Sequence, residues 1–121
     1  MDRPKLTEAD LAHFHGTDIW YQHRLVRRVT YTEGAQYVAE HGGAYWLLDE
    51  IAFAQVTRPV IAGEPFQVWE LVVEPSQRAR LVISDGNDRI LGRTRIPWTD
   101  FPLSRLTLWC VDKVIMLPGE Y

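Results

Sequence analysis

Arg78-Ala79-Arg80-Leu81-Val82-Ile83-Ser84-Asp85-Gly86-Asn87-Asp88-Arg89-Ile90-Leu91-Gly92-Arg93-Thr94-Arg95 is the stretch whose reading decides the fold. Two runs rich in aliphatic and β-branched residues flank Asp85-Gly86-Asn87-Asp88, a cluster of the residue types that tolerate a chain reversal. Successive side chains point to opposite faces of a strand, so a hairpin closed on Gly86-Asn87 sets Arg80 opposite Arg93 and Arg78 opposite Arg95. Leu81, Ile83, Ile90 and Ile96 then share the reverse face with Ala79, Gly92 and Thr94. A slip of two residues changes the partners but not the faces. Carried back through a second turn at Pro75-Ser76-Gln77, the alternation groups Trp69, Leu71 and Val73 with the aliphatics, and Glu70, Val72 and Glu74 with the arginines. Two separate turns therefore predict one buried face.

Outward from this hairpin, β-rich runs over 66–74, 79–84, 89–96 and 103–111 predict an antiparallel meander of about four strands. The N-terminal half reads as helical. Thr7 is placed to cap a short helix whose first turn carries Glu8 and Asp10, with Gly16 as its stop. A second helix starts at Thr32, with Ala35, Val38 and Ala39 on one side and Gly42-Gly43 as its end. A third runs from Ala44 to about Gln55. Its apolar positions Trp46, Leu47, Leu48, Ile51, Ala52 and Ala54 wrap widely around the axis, as expected of a buried spine. Between these, Val29-Thr30-Tyr31-Thr32 favours a strand, although Arg24, Arg27 and Arg28 break any clean apolar stripe. Helices first and strands later predict an α+β fold with helices on one sheet face, in a single domain over residues 1–121.

The chain has 121 residues, 46% hydrophobic and 24% charged, enough to bury a core without disulfide or metal. Its net charge of -3 argues against a generic polyanion binder but leaves room for a local basic patch. Cys110 stands alone in an apolar run, so it reads as a small buried hydrophobe instead of a metal ligand or redox partner. Met1-Asp2-Arg3-Pro4-Lys5 leads into a polar helix and not an apolar signal core, which makes the cytoplasm the expected location, with no membrane partner.

The outer face of the hairpin would carry Arg78, Arg80, Arg89, Arg93 and Arg95. Like charges opposite one another in a sheet call for acidic neighbours, and Glu70 and Glu74 can supply only two. The surplus suits phosphates or an acidic protein surface, because guanidinium makes planar bidentate contacts. Trp98, held between Pro97 and the Asp100-Phe101-Pro102 turn, is the tryptophan of the five expected at the surface, whereas Trp46 and Trp69 belong to the core by periodicity.

His13, His15, His23 and His41, with Asp49, are the residues a metal or acid-base site would need. Their spacing matches none of the Cys/His or His-Glu-x-x-His patterns that mark zinc, so no metal and no cofactor is assigned. Asp49 and Glu50, adjacent on a helix, diverge by about 100° and do not form a carboxylate pair. There is no Gly-x-Ser-x-Gly elbow, phosphate loop or dinucleotide fingerprint.

Gly16-Thr17-Asp18-Ile19-Trp20-Tyr21-Gln22-His23, Gly43-Ala44-Tyr45-Trp46-Leu47-Leu48-Asp49-Glu50-Ile51, Phe66-Gln67-Val68-Trp69, Asp85-Gly86-Asn87, Thr99-Asp100-Phe101-Pro102-Leu103 and Leu117-Pro118-Gly119-Glu120-Tyr121 together resemble the bacterial domain-of-unknown-function family DUF6876 across nearly the whole chain. The final Glu120-Tyr121 matches the family ending, which implies a complete C-terminus. The resemblance brings no catalytic or binding residue. It implies small proteins of plasmids and integrated elements, and hence a part in the contest between mobile DNA and host defence. The expectation is a non-catalytic module, anti-CRISPR-like, that binds a nucleoprotein defence complex and occludes it, with Arg78, Arg80, Arg89, Arg93, Arg95 and Trp98 as contacts. The alternatives are a small metal-dependent hydrolase or nuclease built on the histidines, and direct nucleic-acid binding by the arginine face.

Overall fold

The computed structural model describes residues 6–14 and 19–121. The elements follow in the order α1 (Glu8–Ala12), β1 (Trp20–Gln22), β2 (Thr30–Thr32), α2 (Glu33–Gly42), α3 (Tyr45–Thr57), α4 (Pro59–Ala62), β3 (Phe66–Val73), β4 (Ala79–Ser84), β5 (Ile90–Ile96), β6 (Arg105–Val111) and β7 (Val114–Met116), closed by a 3-10 turn at Pro118–Glu120. The mixed α+β composition agrees with the sequence reading. The sheet is larger than expected.

Among the described residues the strands form one seven-stranded sheet in the order β1-β2-β7-β6-β3-β4-β5. Only β3, β4 and β5 are a simple meander. After β5 the chain crosses back through Pro97–Ser104 and β6 pairs with β3, not with β5. The crossing is anchored where Thr99 N–H donates to the Gln77 carbonyl and Val73 N–H to that of Ser104, while Phe101 is sunk in the core. Strand β7 escapes a search for glycine or asparagine turns because Asp112 and Lys113, at φ +48° and +70°, make the left-handed reversal themselves. β2 then pairs with β7 in parallel, so the sheet is mixed instead of wholly antiparallel.

The helices start and stop where their end residues dictate. Thr7 and Asp10 bond reciprocally across the first turn of α1. The Thr32 hydroxyl accepts the Ala35 N–H at the start of α2, and Gly43, at φ +64°, ends that helix in a conformation that costs a Cβ-bearing residue more. α3 buries Leu47, Leu48, Ile51, Ala52 and Ala54, as its wide apolar arc predicts, while Trp46 packs partly buried against the core. Those residues meet Trp69, Leu71, Val73, Ala79, Leu81 and Ile83 from the sheet in one contiguous apolar cluster.

One polar knot lies inside it. Gln55 and Gln67 exchange two amide hydrogen bonds of 2.8 Å, and Gln67 also receives the Trp69 indole N–H at 3.0 Å and donates to the carbonyls of Ile61 and Glu64. Lys113 reaches in to Gln55 at 3.0 Å and to the Ala62 carbonyl at 2.8 Å. With every amide group partnered, the knot ties α3, α4, β3 and the β6–β7 turn together without an orphaned donor.

Candidate functional site

The decisive hairpin keeps the predicted faces for Arg80, Leu81, Ile83, Arg93 and Arg95 but slips by two residues. Arg80 stands opposite Arg95, Val82 opposite Arg93, and Ile83 opposite Gly92. The cause is the turn, which is wider than Gly86-Asn87. Asp85 N–H donates to the Arg89 carbonyl, and the Asp85 carboxylate accepts the N–H groups of Asn87 and Arg89 at 2.7 and 3.3 Å. Gly86 and Asp88 take φ +85° and +69°. Between Ser84↔Ile90 and Ile83↔Gly92, Leu91 has no opposite number and forms a bulge. The bulge reverses two expectations. Leu91 is buried, while Ile90, expected among the aliphatics, is 42% exposed. Arg89 leaves the arginine face altogether and lies in the turn, 3.9 Å from Glu64.

On the face turned away from α3, the register sets out rows across β5, β4, β3 and β6. One row reads Arg95, Arg80, Val72, Arg105; the next reads Arg93, Val82, Glu70, Thr107. Strands lie about 4.8 Å apart, so the first row spans about 14 Å. A third row, Ile90, Ser84, Val68, Trp109 and Met116, is apolar apart from Ser84, and Tyr121 packs on Phe66 and Trp109 at ring distances of 6.0 and 5.6 Å. The outer face is thus basic at one end and aromatic at the other.

Arg105 was missed from sequence because the strand beside it could not be read. Its alternation with Leu106 and Leu108 does place it outward, and β3 as neighbour sets it opposite Val72.

Acids answer part of the charge. Glu74 lies 3.6 Å from Arg80 and Glu70 lies 3.4 Å from Arg105, both pairs largely in solvent. Such pairs contribute at most about 1 kcal/mol. Among the described residues, Arg78, Arg93 and Arg95 have no acid within ion-pair distance. Trp98, just beyond β5, is 64% exposed, as expected.

The histidines are employed separately. His41 stacks on Tyr37 at 3.9 Å and bonds its carbonyl, and His13 ends α1 beside Phe14. His15 lies outside the described residues, as does Gly16, the expected stop of α1. His23 is buried, with Nε2 bonded to Asp49 Oδ1 at 2.8 Å and Nδ1 accepting the N–H groups of Leu25 and Val26. Its lone pair and its proton are both used, which leaves the ring no open position for a metal or a substrate proton. Among the described residues no three His, Cys, Asp or Glu side chains gather to hold a metal ion. Burial pushes the Cys110 thiol up to about 12, far from a reactive thiolate. Among the described residues no helix is long and apolar enough to cross a membrane.

The C-terminal turn carries a feature that the sequence reading passed over. The buried Glu120 carboxylate accepts the Thr32 hydroxyl at 2.6 Å, the Leu117 N–H at 2.9 Å and the Gly34 N–H at 3.1 Å, so an acid from the chain end serves the N-terminus of α2. No curated protein and no solved structure matches the chain. The model of the family of unknown function DUF6876 matches residues 5–121, and the chain belongs to that family.

Proposed function

We propose that this protein is a non-catalytic interaction module that binds an acidic partner protein through the outer face of its sheet. The observation that carries the reading is the row Arg95–Arg80–Arg105 with Arg93 beside it, on a face where, among the described residues, acids meet only Arg80 and Arg105. Arginines directly opposite each other weaken a sheet, and Glu74 answers Arg80 but not Arg95, so an outside acidic surface would supply the missing counter-charge. The adjoining Val68, Val82, Phe66 and Trp109 provide the partly buried apolar centre that a stable contact requires. Exposed Trp98 lies just beyond β5, past Arg95 at the basic end.

Within this proposal the partner class is a host defence assembly, of the nucleoprotein or CRISPR-effector kind, blocked by steric occlusion. The cytoplasmic setting and mobile-element origin belong to the same proposal. The test is capture from the native host with wild type and with Arg80→Glu/Arg93→Glu. A partner held by the first and released by the second supports the reading, and equal retention by both sinks it. Direct nucleic-acid binding by the same face is the competing outcome. It is recognised by binding to naked RNA or DNA whose affinity falls steeply with salt, with a logarithmic slope of roughly -0.7 to -0.9 per phosphate contacted.

A further inference from the structure

A cavity of about 330 Å³ lies between β2, the segment after β1 and the N-terminal half of α3, walled by His23, Arg24, Tyr31, Tyr45, Leu48 and Asp49. Its polar groups are held in place by neighbours. The buried His23 ring, itself fixed by two backbone N–H groups, grips one Asp49 oxygen at 2.8 Å and leaves that side chain 50% exposed. A carboxylate offers about four acceptor positions, so most of its capacity faces the cavity mouth and solvent. Tyr31 stacks on Tyr21 at 5.5 Å, and the Tyr45 hydroxyl accepts the Gln36 amide at 3.4 Å.

The two charges on the wall have not collapsed onto each other. Arg24 and Asp49 form no ion pair, and both line the cavity together with Tyr31. Burial raises the pKa of Tyr31 and of Tyr45, the latter also through a hydrogen bond to Glu40, so both hydroxyls stay protonated and present an oxygen that can accept. Leu48 adds an apolar wall. The volume sits at the small end of the range for small-molecule sites, roughly 300 Å³ upward.

We propose that this cavity binds a zwitterionic α-amino acid, with the ammonium on Asp49 and the tyrosine oxygens, the carboxylate on Arg24, and the side chain along Leu48. Each charged group of such a ligand finds its opposite without displacing an ion pair already made in the protein, and the fixed walls limit the ordering cost. The cavity is on the helix-covered side, apart from the arginine face, so the two readings stand or fall independently.

The test is titration of the full chain, observed by amide chemical shifts, with each of the standard L-amino acids singly. The expected result is saturable shifts at Tyr31, Tyr45 and Asp49 for at least one of them. The carboxamide and N-acetyl derivatives of that amino acid, each lacking one charge, should bind at least roughly tenfold more weakly, as should Asp49→Asn and Arg24→Gln. Arg24 is exposed, so its variant keeps the fold even if loss of the His23 contact disturbs Asp49→Asn. Arg80→Glu/Arg93→Glu should bind as wild type does. No saturable shift with any amino acid, shifts confined to another surface, or equal binding of the carboxamide would overturn the proposal.

Discussion

Gly34 and Glu120 give a prediction whose sign reverses with background. A Cβ built on Gly34 meets the Glu120 carboxylate closer than real Cβ atoms approach their neighbours. Gly34→Ala must therefore displace that carboxylate from the Gly34 N–H, and with it loosen the Thr32 hydroxyl and Leu117 N–H that it also serves. Hydrogen bonds to a charged group contribute roughly 1.5 to 3 kcal/mol each, and partial loss of three predicts a destabilisation of about 2 to 3 kcal/mol. Glu120→Ala removes the acceptor altogether and should cost about 3 to 5 kcal/mol, since water can replace only some of it. In that second background the obstacle is gone. Alanine is then a better helical residue than glycine by roughly 0.5 to 1 kcal/mol, so Gly34→Ala should become neutral or slightly stabilising. The coupling is about 3 kcal/mol, well beyond the roughly 0.5 kcal/mol scatter of independent sites. Urea denaturation of wild type, both single variants and the double variant measures it through the midpoints. Equal destabilisation by Gly34→Ala with and without Glu120 would refute the clasp.

Three further outcomes follow from the buried polar groups and the exposed charge. Gln67→Leu leaves the Trp69 indole N–H and the Glu64 carbonyl without their Gln67 partner and breaks the amide exchange with Gln55, so urea denaturation should show a loss of roughly 2 to 4 kcal/mol despite the added apolar bulk. Stability should fall in alkali, because the folded Cys110 thiol stays protonated to about 12 whereas the unfolded one ionises near 9.0. Its contribution is complete below that lower value and is lost as pH rises through the higher, at up to about 1.4 kcal/mol per pH unit, and Cys110→Ala should flatten denaturation midpoints between pH 9 and 10. At neutral pH and low salt, Arg95→Thr should leave stability unchanged or raise it by a few tenths of a kcal/mol, seen as a small shift in the thermal midpoint, because it removes repulsion from Arg80.

The faces of the central strands were legible because alternation survives a slip of two residues. Leu81, Ile83 and Leu71 on one side, with Arg80, Arg93 and Arg95 on the other, needed only period two and a turn somewhere near Gly86. The partners were not legible, because the Asp85 carboxylate that widens the turn, and the Leu91 bulge that follows, are local hydrogen-bond choices that composition does not dictate. Arg89 was misplaced for that reason. The order of β6 beside β3 was hidden for another: the stretch Pro97–Ser104 can return to either edge, and what selects one is Phe101 finding the core under α2. In the site, Asp49 and His23 were both visible as residue types. Their pairing depends on chain positions 26 apart folding back together, and the two backbone N–H groups that saturate the ring leave no mark in the sequence.

The central claim is that the arginine-bearing sheet face, and not the helical layer, meets the partner. A photo-crosslinking residue placed at Val82, in the middle of that face, and separately at exposed Glu50 on α3, tests it in cells of the native host. The account predicts a discrete protein adduct from position 82 that disappears when Arg80 and Arg95 are changed to glutamate, and none from position 50. Adducts from position 50 alone, or a position 82 adduct indifferent to both arginines, would contradict it.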